Sequence, residues 1–199
     1  TNNKVIETET IVDEIVQSYY DEYAYYMKTQ ITDEKDIDEI AQLYDDLNDY
    51  LAERDNGPHW KKGVYPLREH AESAVAEGTL YKAVIDGKIA GVVVYSREQD
   101  DAYREIHWQI EFDVPVIVIN KLAVHPDYMR CGVAKALLNY AVELGRSQGI
   151  KAIRLDTYEE NVSAIKLYEK CCFQYMGRVD LGLEDTYGLK WYKVYEKTV

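Results

Sequence analysis

The chain has 199 residues, 47% of them apolar, and carries a formal charge of −13, with 23 Lys and Arg against 36 Asp and Glu. That length supports one large domain with a buried core, while the charge excludes sequence-independent binding to nucleic acid or to an anionic membrane, since either surface would repel it. No apolar run approaches the roughly 20 residues of a membrane-spanning helix, and the acidic amino end lacks the basic region of a secretory signal, so the expected compartment is the cytoplasm. The cysteines Cys131, Cys171 and Cys172 form neither a disulfide framework nor a C-x-x-C motif, which fits a reducing compartment and implies no structural metal.

In chain order, Val12, Ile15, Val16, Tyr19 and Tyr23 recur at helical spacing among acids and predict an amphipathic helix, an extension over residues 1–27 that also suits homodimer formation. A short strand, "YYMKTQI", follows, with Thr32 as the expected N-cap of a helix running to about Arg54 on the face Ile37, Ile40, Leu43, Tyr44, Leu47 and Leu51. The loop "DNGPHWKKGVYP" combines His59, Trp60 and Tyr65 as either a recognition loop or a packed corner. A second helix is predicted over Leu67 to Glu77, and "LYKAVIDGKIAGVVVYS" reads as two strands joined at Asp86-Gly87. "PVIVINKLAV" is a third strand, a helix follows "MRCG", and "KAIRLDTY" is a further strand. After one more helix, "FQYMGRVDL" and "LKWYKVYE" close the chain as strands. The order after the extension is β, αα, βββ, α, β, α, ββ, and no linker or repeat divides residues 28–199.

From Gly132 the residues Val133, Leu137, Tyr140, Ala141 and Leu144 take helical spacing, so strand, tight loop and helix follow one another. The first N–H groups of a helix lack internal partners, and a glycine there lets backbone approach an anion closely. With Arg130 and Lys135 beside it, in an acidic chain, this junction points to a phosphate-bearing cofactor, although the same junction also serves as a plain structural turn. The loop has neither G-x-x-x-x-G-K-[ST] nor G-x-G-x-x-G, which disfavours ATP and NAD.

"LAVHPDYMRCGVAKALL" followed by "IRLDTYEENVSAIKLYEKCCF" resembles the cofactor-binding core of the GNAT superfamily of N-acetyltransferases. The resemblance implies an α/β architecture of α+β type, with a mixed central sheet of about six to seven strands splayed at the cofactor strand and flanked by helices. It further implies acetyl-CoA as co-substrate, the backbone of Leu122, Ala123 and Val124 pairing with the pantetheine arm, and the loop Met129, Arg130, Cys131, Gly132, Val133 and Ala134 receiving the pyrophosphate, with Lys135 behind it. Two positions depart from the family pattern. Met129 stands where Gln or Arg is usual, with Arg130 one residue later. Cys172 stands where Gly usually precedes the Phe, at a cost of about 1 kcal/mol if that residue is left-handed.

The same resemblance assigns Tyr168 as the acid for the departing thiolate; from spacing alone it reads as a helix-face tyrosine beside Leu167. Asn161 lies two helical turns earlier and can serve as N-cap, as cofactor contact, or as both. Backbone N–H groups near Leu122 to Val124 would meet the oxyanion at a strand bulge. The general base stays open among Glu111, Asp113, His59, His107 and a water chain. His125 reads as a turn residue, Asn120 has no basic group, and Cys131 has no visible base partner. The expected activity is transfer of acetyl from acetyl-CoA to a primary amine of a small molecule or peptide, cationic by the charge argument. The alternative is a catalytically silent CoA-binding sensor of the same fold.

Overall fold

The computed structural model describes residues 27–199. The helix and the dimer contact read at residues 11–23 lie outside the described residues. Strand β1 (Lys28–Ile31) leads to a 3-10 turn at Glu34–Asp36 and helix α1 (Ile37–Ala52). Asp33, not Thr32, caps this start: its carboxylate accepts from Lys35 N, and Asp36 reaches back to Asp33 N. The Thr32 hydroxyl instead donates to Leu80 O at 2.9 Å, the carbonyl that also accepts the Thr32 N–H at 3.0 Å. Helix α2 (Arg68–Ala76) precedes the hairpin of β2 (Leu80–Ile85) and β3 (Lys88–Ser96).

Strand β4 (Ile117–Val124), helix α3 (Val133–Ser147), strand β5 (Ala152–Tyr158), helix α4 (Val162–Lys170) and strand β6 (Gln174–Asp180) follow. A short helix α5 (Glu184–Tyr187), which the spacing did not reveal, precedes the last strand β7 (Trp191–Thr198). The seven strands form one mixed sheet in the order β1-β2-β3-β4-β5-β7-β6, with only the β4–β5 pair parallel. Among the described residues no helix is long and apolar enough to cross a membrane.

Apolar residues line both faces of the sheet, which is why β3 reads as a continuous apolar run. On one face Val93, Tyr95, Ile117, Ile119, Ile153 and Leu155 pack with Val133, Leu137, Leu138 and Ala141 of α3. On the other, Leu80, Val92, Val94 and Ala123 meet Ile40, Leu43, Tyr44 and Leu47 of α1 and Ala71 and Ala74 of α2. Each fully buried side chain of Leu or Ile size contributes about 1.5–3 kcal/mol. Gly91 sets how closely α3 seats: a Cβ there would lie 2.7 Å from Val133 Cγ1 and 2.9 Å from Ala123 O. The N-terminus of α3 is thereby pressed against the middle of the sheet.

The long connection from Arg97 to Val116 is fixed by a buried ion pair. Arg154 Nε donates to Glu196 Oε2 at 2.8 Å, and both side chains are fully buried. The guanidinium also donates to Gln99 Oε1 and Ile110 O and lies 4.2 Å from the Trp108 ring centre. Glu196 Oε1 in turn accepts the N–H groups of Gln109 and Ile110. A segment without regular pairing thus has its backbone satisfied from below by β5 and β7.

Candidate active site

Strands β4 and β5 pair over Ile117–Ile119 and Ile153–Leu155, then diverge. A cleft of about 1110 Å³ opens at the divergence, lined on one side by Asn120, Lys121, Leu122 and Val124 and on the other by Asp156, Thr157 and Tyr158. Within β4, Lys121 and Leu122 together face Val93, and the register with β3 shifts there. Lys121 has φ 50, a bulge conformation. Such a bulge leaves backbone donors out of the ladder, at the place the resemblance assigned to an oxyanion.

Past the 3-10 turn at Pro126–Tyr128, the chain takes left-handed conformations at Arg130 (φ 64) and Gly132 (φ 77), and α3 begins. The first helical bond is Ala136 N to Gly132 O, so the N–H groups of Val133, Ala134 and Lys135 precede it. A Cβ on Gly132 would meet nothing within 4 Å, so there is free space beside the loop at this residue. The position fits a diphosphate: left-handed backbone, helix terminus and free space coincide. Arg130 and Lys135 are exposed at its edge, Cys131 is partly buried, and Met129 packs against the core beside Trp60. The Val133 side chain is core, which leaves only its backbone for an anion. His125 is a turn residue, accepting from Asp127 N at 3.2 Å and lying 3.2 Å from Asp46.

Asn161 caps α4, its Oδ1 accepting from Ala164 N and its Nδ2 donating to Thr157 Oγ1. Gly57 of the α1–α2 loop lies against it, so closely that a Cβ there would be 2.7 Å from Asn161 Oδ1. Tyr168, on the same helix, is buried with its ring against Phe173 and Tyr195, and it lines the cleft. Burial, then the Asp156 charge, pushes its phenol well above 10. Cys172 follows with φ 62, left-handed as the departure from Gly required. Two α4 residues of the resemblance therefore reach the same cleft as the β4 bulge.

The proposed bases separate. His107, Glu111 and Asp113 are exposed and lie outside the cleft, because the Arg154 anchor holds their segment by its backbone and leaves their side chains outward. His59 is at the rim, with its ring 4.9 Å from Tyr158. Of the acids that line the cleft, Glu98 and Asp100 are exposed and Asp156 is half-buried. Its carboxylate accepts from Tyr103 Oη at 2.6 Å. Burial raises its pKa to about 6, against a lowering by the Tyr103 hydrogen bond. The strand alternation carried a signal for it: Arg154 and Asp156 fall on one face of an otherwise apolar strand, and each charge there requires a buried partner. Asp156 titrates where a base for an amine is useful, beside the cleft that the Tyr168 ring closes.

The "Acetyltransferase (GNAT) family" model matches residues 40–173. N-acetylaspartate synthetase of Xenopus tropicalis is 28% identical over 98 residues, 49% of this chain and 31% of that protein. UPF0157 protein YqkA of Bacillus subtilis (strain 168) is 29% identical over 89 residues, 45% of this chain and 21% of that protein. The chain thus spans no more than a third of either curated relative. A GNAT-family acetyltransferase from Streptococcus agalactiae 2603 shares the fold at a TM-score of 0.72 and 20% identity, covering 87% of this chain and 95% of that one. The match runs from α1 through the glycine loop to Phe173, the span that builds most of the cleft, and the chain belongs to the acetyltransferase (GNAT) family.

Proposed function

We propose that the protein is an acetyl-CoA-dependent N-acetyltransferase that moves the acetyl group directly to a primary amine of a small molecule or peptide. The observation that carries this reading is one cleft, at the divergence of β4 and β5, into which a half-buried carboxylate, a strand bulge and a buried phenol all converge. When bound, acetyl-CoA supplies an activated acyl group on a sulfur that departs as a thiolate.

The residues divide the work. Backbone N–H groups of the Gly132 loop hold the diphosphate, and the β4 bulge holds the carbonyl oxygen as it gains charge. Asp156 accepts a proton from the incoming ammonium, since its pKa of about 6 leaves it ionised at neutral pH and more basic than a free carboxylate. Tyr168 keeps its proton throughout the working range and offers it to the departing sulfur. Because its pKa lies above that of a thiol, its contribution is a hydrogen bond that strengthens as charge accumulates on sulfur. Direct transfer is favoured over a covalent enzyme intermediate because Cys131 Sγ has a backbone carbonyl, Met129 O at 3.7 Å, as partner and, among the described residues, no base hydrogen-bonded to it. The free thiols Cys131, Cys171 and Cys172 support a reducing, cytoplasmic setting. Asp156 favours this enzyme over a silent CoA-binding sensor, which has no use for a raised carboxylate in the cleft.

Tyr168→Phe tests the assignment. Phe retains the ring contacts to Phe173 and Tyr195, so folding should hold. Turnover should fall about 10²-fold with the KM for acetyl-CoA nearly constant, because the lost hydroxyl acts only in the transition state. Steady-state kinetics at varied acetyl-CoA decide it: full turnover with an unchanged pH profile would make Tyr168 a core residue.

A further inference from the structure

Lys121 is the group in the cleft that this chemistry leaves unused. Other half-buried lysines are answered from within the chain: Lys82 pairs with Asp36 at 2.5 Å, and Lys197 donates to Cys171 O at 2.7 Å. Lys121 lies in the β4 bulge, partly buried, and among the described residues no carboxylate or carbonyl receives its ammonium. The ammonium lies 6.0 Å from the centre of the Tyr65 ring. Burial lowers its pKa, with only the more distant Glu77 opposing, and its charge also helps to lower that of His70.

An acidic chain with 36 Asp and Glu could readily place a counter-ion here, yet none is present among the described residues. Taking a charge out of water without a partner is costly, so an unpaired ammonium on a cleft wall marks a place where an anion arrives. Tyr65 connects this wall to the base. Its ring faces Lys121, and its phenol is pushed up by burial first, then by Tyr44, Tyr187 and the Asp156 charge. Tyr187 completes the same wall, with its ring 5.5 Å from Tyr65. A negative and a positive group therefore share one aromatic-walled cleft, across the divergence of β4 and β5.

We propose that the acceptor carries a carboxylate as well as its amine, and that Lys121 receives the carboxylate while Asp156 faces the amine. This rests on the N-acetyltransferase reading and narrows it to amino acids and carboxylate-bearing amines. The charge of −13 still draws the ammonium end toward the protein, and Lys121 offsets the repulsion of the other end.

The experiment measures CoA release from acetyl-CoA with matched acceptors: phenylalanine against phenethylamine, lysine against cadaverine, β-alanine against ethylamine, and phosphoethanolamine against ethanolamine. For the wild-type chain, kcat/KM should favour the carboxylated member of at least one pair. In Lys121→Gln that preference should shrink about tenfold to hundredfold, the range for one charge-assisted hydrogen bond, and Lys121→Arg should restore most of it. A thermal melt of each variant separates a misfolded chain from a selective one, and the Arg variant carries the comparison if Gln destabilises. Equal losses for both members of every pair, or wild-type preference for the amines without carboxylate, would overturn the assignment. Preference confined to phosphoethanolamine would overturn the carboxylate in favour of a phosphate. Release with none of the amines would instead overturn the acetyltransferase reading itself.

Discussion

Asp156→Asn should make the protein nearly inactive and more stable at the same time. Tyr103 Oη, which donates to the carboxylate at 2.6 Å, can donate equally to an amide oxygen, so the packing is kept while the base is removed. At pH 7, kcat/KM should fall about 10²- to 10⁴-fold, and the acid limb of the wild-type pH profile, with an apparent pKa of about 6, should vanish. Stability should move the other way. Burial lifts this carboxyl from 3.8 to about 6, so between those values the folded chain holds a proton that the unfolded chain has released. Stability therefore falls as pH rises through this window, and the deficit is complete above it. It amounts to about 3 kcal/mol on the order-of-magnitude scale of pKa linkage. Thermal melts of both forms at pH 4 and pH 7 check this: the Asn variant should gain relative to wild type mainly at the higher pH. A variant that loses stability at pH 7 while retaining turnover would make Asp156 a structural acid.

Glu196→Ala should cost about 3–5 kcal/mol, the range for leaving one half of a buried ion pair alone. The guanidinium of Arg154 would keep Gln99 and Ile110 O but lose the Glu196 carboxylate, and Gln109 N and Ile110 N would lose their acceptor. Activity should suffer in the folded fraction as well. The same segment carries Tyr103, whose backbone carbonyl accepts from Trp108 Nε1 and whose hydroxyl holds Asp156. Removing both charges, as Arg154→Met with Glu196→Leu, should cost less than Glu196→Ala alone, because no unpaired charge remains. Chemical denaturation of the three chains measures this. Equal costs for the single and double changes would show that packing, not charge pairing, dominates the anchor.

What could be read along the chain was what is local. The alternation in β2 and β3, the Asp86-Gly87 turn and the helical spacing after Gly132 each determine their element within a few residues, and the order β, αα, βββ, α, β, α, ββ holds apart from the short helix α5 between the last two strands. The left-handed Cys172 was legible as a departure from a known pattern and occurs at φ 62. Contacts distant in sequence were not legible. Thr32 looked like a cap because its competing partner, Leu80 O, lies 48 residues away. His107, Glu111 and Asp113 looked like bases because nothing local reveals that Arg154 and Glu196 hold their segment by its backbone. Asp156 was passed over for the converse reason: within "IRLDTY" it is one acid in a strand, and its hydrogen-bond partner, Tyr103, lies 53 residues earlier. Lys121 likewise acquires meaning only from the bulge that turns it and from Tyr65 across the cleft.

The most direct measurement is of the products. The purified protein is incubated with acetyl-CoA and the amine panel, and free CoA and acetylated amines are quantified together by mass spectrometry, with Asp156→Asn as the parallel control. Direct transfer predicts free CoA and one N-acetylated amine in equal amounts, at a rate that depends on both substrates and collapses in the control. Acetyl-CoA that binds without any amine being acetylated, or that is hydrolysed at the same rate whether amines are present or not, would contradict the account.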